Sequence, residues 1–242
     1  MSTPPWLKWL FYFWVILECI VADLASPWTF VEGSDVYLLE NLPVRMLSKA
    51  GITVILMVIT LANKSVAKSL QRMMLAALVL SLAGDLILAV PDLFVPGLAA
   101  FLLAHVMYII TFSKAAHKMK QLPIVKRLPL LPILIGAAAS YIFYVLSNHL
   151  GDMAVPVAFY VITITVMAIF ALNRLDRTSQ RSWLMVFVGA LVFMASDSLI
   201  AFNMFKKPIP HASALIMFTY ALAQGMIVFG LLRHKKEGAG QN

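Results

Sequence analysis

Long apolar runs separated by short polar breaks recur along the whole chain, and this alternation sets its class. A bilayer core of ~30 Å takes about 20 apolar residues per helix. On that ruler the pattern predicts eight spans, at 6–24, 43–62, 72–90, 95–113, 129–148, 153–173, 182–203 and 210–232. Pro43, Pro91, Pro129 and Pro210 stand at starts or ends, where a missing N–H costs least. The expectation is an all-α polytopic membrane protein, with residues 1–242 forming a single integral membrane domain. It would be an eight-transmembrane-helix bundle with a polar cavity slightly outside the midplane. The run from Trp6 to Val21 lacks a small-residue cleavage site and reads as a retained first helix.

Composition agrees. The chain is 62% hydrophobic and 12% charged, with a mean hydropathy of +0.89, more apolar surface than a water-soluble domain can hide. Its net charge of +8 would point to nucleic acid if the basic residues formed a stripe. They occupy short breaks instead, so no nucleic-acid partner is expected. Fifteen of the 19 Lys and Arg residues fall on one side of the predicted spans: Lys8, Lys64, Lys68, Arg72, Lys114, Lys118, Lys120, Lys126, Arg127, Arg174, Arg177, Arg181, Arg233, Lys235 and Lys236. The other side holds Asp23, Glu32, Asp35, Glu40, Asp92, Asp152 and the Lys206-Lys207 pair. This asymmetry places both termini in the cytoplasm, and in a bacterium the protein in the inner membrane. A lone cysteine, Cys19, excludes an intrachain disulfide and a cysteine metal cluster.

Against this apolar background two carboxylates stand out, Asp85 in SLAGDLILAV and Asp197 in FMASDSLIAFN. An ionisable group at bilayer depth is costly and marks a functional site by default. At ~1.5 Å per helical residue, Asp85 lies ~18 Å and Asp197 ~21 Å from the cytoplasmic face, with His105 ~15 Å from the outer one. The three are expected to share a layer. Tyr108 follows His105 by three residues and Gln224 follows Tyr220 by four, so each pair shares a helix face. Lys49, with Thr53 one turn deeper, and Tyr160 reach a similar depth; Asn203 and Glu18 sit nearer the outer end. Snorkelling would explain Lys49 and Glu18, and helix packing the tyrosines, His105 and Gln224. A shift of 112 residues lays Asp85 on Asp197, Ala83 on Ala195, Ala89 on Ala201 and Tyr108 on Tyr220. A parallel repeat of that kind would set the carboxylates face to face across a pseudo-twofold axis. From the residues alone, a lipid enzyme and a proton-coupled carrier are both open. A metal-dependent lipid amidase would want about three imidazoles, and only His105 of the five histidines lies at depth.

The stretches LSLAGDLILAVPDLFVPGLAAFLLAHVMYIITF, VPVAFYVITITVMAIFAL and GALVFMASDSLIAFNMFKKP, with FTYALAQGMIVFG, resemble the YhhN/lysoplasmalogenase family. The combination of G-D and S-D in separate spans, H-x-x-Y and Y-x-x-x-Q is specific, and it covers most of the chain. The resemblance implies a multi-pass hydrolase of the vinyl-ether bond of lysoplasmalogens, releasing a fatty aldehyde and glycerophosphoethanolamine or glycerophosphocholine, with no cofactor. It implies Asp85 and Asp197 as the catalytic pair, with Lys49, His105, Tyr108, Tyr160, Tyr220 and Gln224 around a lysophospholipid drawn from the bilayer; Asn203 joins the candidate substrate-binding residues by its place near the outer end of its span. Ala50 departs from the proline that the family often carries after this lysine. A vinyl ether is inert to base and hydrolyses once a proton reaches its distal alkene carbon, so the chemistry wants one carboxylic acid and one carboxylate, as in glycoside hydrolysis. Lys49 would hold the substrate phosphate as a point charge.

Overall fold

The computed structural model describes residues 4–24, 42–90, 92–116 and 124–234. Pro91, Glu32, Asp35, Glu40, Lys118, Lys120, Lys235 and Lys236, all used above, lie outside the described residues. Among the described residues every regular element is helical: α1 (Pro5–Leu24), α2 (Leu42–Ala62), α3 (Lys68–Ala89), α4 (Phe94–Lys114), the single turn α5 (Ile124–Arg127), α6 (Leu130–Leu150), α7 (Ala154–Leu172), α8 (Gln180–Phe205) and α9 (Ala212–Leu232). A 3-10 turn, Gly151–Met153, joins α6 to α7.

Five stretches are long and apolar enough to cross a membrane: Lys68–Ala89, Phe94–Lys114, Leu130–Leu172, Gln180–Phe205 and Ala212–Leu232. The expected count of eight spans is therefore not supported. One of the five, 43 residues long, runs through both α6 and α7. In α2 only Met46–Ala62 is apolar, shorter than a span, and α1 carries Lys8, Glu18 and Asp23. The third helix also begins four residues before the predicted start, because Lys68, Gln71 and Arg72 are good helix formers that prolong it past the apolar stretch.

Local chemistry fixes several ends. Gln71 Nε2 donates to the carbonyls of Thr60, Leu61 and Asn63, closing the last turn of α2. Ser179 caps α8 by accepting from Ser182 N. Each helix then packs on its neighbours: α1 on α2 and α9, α2 on α3, α3 on α4, α4 on α7, α7 on α6 and α8, and α8 on α9. This makes a closed ring with α6 outside it. A Cβ at Gly189 would sit 3.1 Å from the Ala223 carbonyl oxygen, so glycine lets α8 and α9 approach backbone to backbone. The outer face carries large apolar side chains, Trp9 at 73% and Tyr144 at 74% exposure among them; water would penalise such a surface and lipid accepts it. The chain is a multi-pass integral membrane protein.

One cation departs from the sidedness pattern. Arg174, counted above as a loop charge, is fully buried just past α7. Its guanidinium donates to Ala115 O at the end of α4 and to Ser182 Oγ, which itself donates to Gly230 O near the end of α9. Burial pushes its pKa down to about 10, which still leaves the group charged at neutral pH. The negative ends of α4, α7 and α9 surround it and offset part of the desolvation. Replacement by methionine keeps the stem and removes the donors. The expected cost is about 2 kcal/mol, visible as earlier thermal unfolding in detergent; an unchanged midpoint would show the bonds to be idle.

Candidate active site

Helix α9 supplies the centre of the polar interior, because Tyr220 and Gln224 are one turn apart and both buried. Tyr220 Oη donates to Asp85 Oδ2 at 2.7 Å, and Thr53 Oγ1 from α2 donates to the same oxygen at 3.0 Å. Gln224 Nε2 donates to Tyr220 Oη at 3.2 Å and its Oε1 accepts from Tyr108 Oη on α4. Four helices thus meet in one chain of hydrogen bonds that ends on Asp85. Two hydroxyl protons converge on one carboxyl oxygen. The half-buried Lys49 and the buried Glu18 both exert a charge interaction on Asp85.

Asp197 has a separate setting. Tyr160 Oη on α7 donates to its Oδ2 at 2.6 Å. His105 on α4 brings Nε2 to 3.9 Å from that oxygen, its ring held edge-on between Tyr160 and Phe193 at 5.2 and 4.8 Å. The two carboxylates still feel each other's charge.

Phe101 touches both settings. Its ring meets Phe193 and Tyr220 edge-on, at 6.4 and 5.9 Å. A Cβ at Gly84 would lie 2.5 Å from the Phe101 ring, so the glycine before Asp85 makes room for this ring. Phe101 also lines a cavity of about 80 Å³ between α3, α4, α6, α7 and α8. Asp197, Ser198 and Tyr160 line it among apolar side chains such as Leu98, Phe101, Ile142 and Met194. This corrects the expected polar cavity: the chamber is a greasy slot with one acidic spot. Asp197 lines it and keeps 13% side-chain exposure. Asp85 is not among the lining residues and is 5% exposed.

The nine expected site residues therefore divide. Asp197 and Tyr160 are on the cavity, with His105 directly behind. Asp85, Tyr108, Tyr220 and Gln224 form the other network, and Lys49 acts on Asp85 through charge. Asn203 is brought into neither group: its Oδ1 accepts from Ile209 N at 2.8 Å and ties down the turn after α8. Phe101 and Phe193 gave no signal in the sequence, since 15 phenylalanines are spread through apolar runs where most serve packing. Among the described residues, no three His, Cys, Asp or Glu side chains are grouped as metal ligands.

Comparison with known proteins bears on the same stretch. The YhhN family model matches residues 44–231. The chain belongs to the YhhN family. Relatives include the human lysoplasmalogenase TMEM86B (Homo sapiens), 38% identical across 65% of this chain. The match spans 62% of the human protein's length. The pig protein of the same name (Sus scrofa) is 32% identical over 66% of this chain and 63% of its own. A lysoplasmalogenase of Mycobacterium bovis is 31% identical over 72% of this chain and 67% of its own. No solved structure matches. The residues bonded around Asp85 and around Asp197 fall inside the matched stretch.

Proposed function

We propose that this protein is a lysoplasmalogenase, hydrolysing the vinyl-ether bond of 1-alkenyl-glycerophosphoethanolamine or 1-alkenyl-glycerophosphocholine to a fatty aldehyde and the glycerophospho alcohol. The observation that carries this reading is one carboxyl side chain, Asp197, on the wall of an otherwise apolar cavity. Such a slot fits a lipid chain and holds little water, and an acid there meets the alkene carbon away from competing solvent.

In this mechanism Asp197 is the acid and Asp85 the standing negative charge. Asp197 gives its proton to the distal alkene carbon, leaving an oxocarbenium ion at the carbon bonded to the ether oxygen. The charge of Asp85 steadies that cation from outside the cavity lining. Water adds to the cation and returns a proton to Asp197, and the hemiacetal parts into aldehyde and alcohol. Thr53, Tyr108, Tyr220 and Gln224 hold Asp85 in place, and Tyr160 orients Asp197. The cavity lies between α3, α4, α6, α7 and α8, and a long chain would continue outward between these helices into the bilayer, which suits a lysophospholipid entering sideways.

The topological part of the proposal is a single integral membrane domain with both termini in the cytoplasm, in the inner membrane if the source is bacterial. The sidedness of Lys and Arg supports it.

The test is aldehyde release from purified protein in lipid nanodiscs. Vinyl-ether lysolipids of choline and ethanolamine are expected to yield aldehyde, and 1-acyl lysophospholipids none. No aldehyde from either vinyl-ether lipid would reject the assignment.

A further inference from the structure

His105 is completely buried, and neither ring nitrogen has a hydrogen-bond partner among the described residues. A buried polar group left without a partner costs about 1–3 kcal/mol, so an orphaned imidazole calls for a reason. The surroundings narrow it. Phe193 offers no acceptor, and the neighbouring Tyr160 directs its hydroxyl proton at Asp197. The polar atom that Nε2 approaches is Asp197 Oδ2, at 3.9 Å, about 1 Å too far for a hydrogen bond.

We infer that His105 is a positioning residue whose Nε2–H donates to Asp197 only after that acid has given up its proton. This rests on the lysoplasmalogenase reading and deepens it. A protonated Asp197 needs no second donor on Oδ2, where Tyr160 already donates. Once the proton has moved to the alkene carbon, Asp197 is a carboxylate in an apolar wall, with negative charge on both oxygens. A small contraction then brings Nε2–H to Oδ2 beside the Tyr160 hydroxyl. The new bond exists in the charge-separated state and not in the resting one, so it lowers the barrier rather than tightening substrate binding. When water has added to the cation, its proton returns to Asp197, the carboxylate is discharged and the His105 bond lengthens again. No other group changes its proton count.

Two variants separate this role from packing. His105→Phe fills the space without a donor, and His105→Gln keeps an N–H near the place of Nε2. His105→Phe is expected to lower kcat about 100-fold, the loss of one aimed donor, with KM within three-fold of wild type. His105→Gln is expected to recover at least ten-fold of that loss. Equal kcat for His105→Phe and wild type, or equal deficits in both variants, would overturn the inference. A second readout needs no turnover: the infrared carboxylate band of Asp197 at alkaline pH, assigned by its disappearance in Asp197→Asn. That band is expected to shift in His105→Phe and to hold its place in His105→Gln, and a band unmoved in both would also overturn the inference. The expected band shift in His105→Phe together with no aldehyde from the wild type would reject the lysoplasmalogenase reading while keeping the His105–Asp197 contact. Should His105→Phe fail to fold, the band and kcat of His105→Gln alone decide, since loss of both there contradicts a conserved donor.

Discussion

Asp197→Asn is expected to reduce aldehyde release by about 10³-fold or more while leaving the helical fold and lipid binding intact. The size follows from chemistry: general acid catalysis supplies roughly 10²–10⁴-fold, and a vinyl ether offers no path that starts with base. Asparagine has almost the same shape, and its amide oxygen can still accept from Tyr160 Oη as Asp197 Oδ2 does at 2.6 Å. What it cannot do is release a proton to carbon. The check is kcat from aldehyde production, set beside the affinity for a saturated 1-alkyl lysolipid, which has no alkene to protonate. Unchanged affinity with lost turnover fits an acid on the cavity wall. Turnover within a few-fold of wild type would remove Asp197 from the mechanism.

Asp85→Asn is expected to cost less, about 10²-fold in kcat, and to do so without any change in the cavity. Asp85 does not line the cavity, and in the proposed mechanism it acts through its charge, which Asp197 also feels. A unit charge acting across a side chain's breadth of protein contributes on the order of 3 kcal/mol at an effective dielectric of about 20, or ~10²-fold in rate. The Tyr220 and Thr53 hydroxyls can still donate to the asparagine oxygen, so the network survives and only the charge is lost. Equal losses of 10³-fold or more in both asparagine variants would mean that the carboxyls meet the substrate together, contrary to the absence of Asp85 from the cavity lining. Gly84 offers an independent check on the cavity wall that Phe101 forms, since any side chain there drives into the Phe101 ring.

Much of the buried polar interior was legible because burial of charge is so expensive in an apolar span. Asp85, Asp197, His105, Tyr160, Tyr220 and Gln224 announced themselves by residue type and depth alone. The helical period also put Tyr220 and Gln224 on one face, and Gln224 Nε2 does bond Tyr220 Oη. Partners were another matter. The 112-residue shift equates Asp85 with Asp197 and Tyr220 with Tyr108, so the Asp85–Tyr220 bond should recur as Asp197–Tyr108. Asp197 is bonded to Tyr160 instead, and Tyr108 to Gln224. Asn203 and Arg174 misled for a related reason: a polar residue near a helix end serves a site, a turn or a helix junction, and the choice rests on backbone groups that composition does not locate.

By itself, the sequence determined the helical membrane class and the cost of burying the carboxylates, since these follow from apolar run length and solvation along a single helix. Only the tertiary structure decided that Asp197 borders the cavity while Asp85 does not. That outcome depends on which helices touch, and contacts between segments far apart in the chain leave no periodic trace within either one.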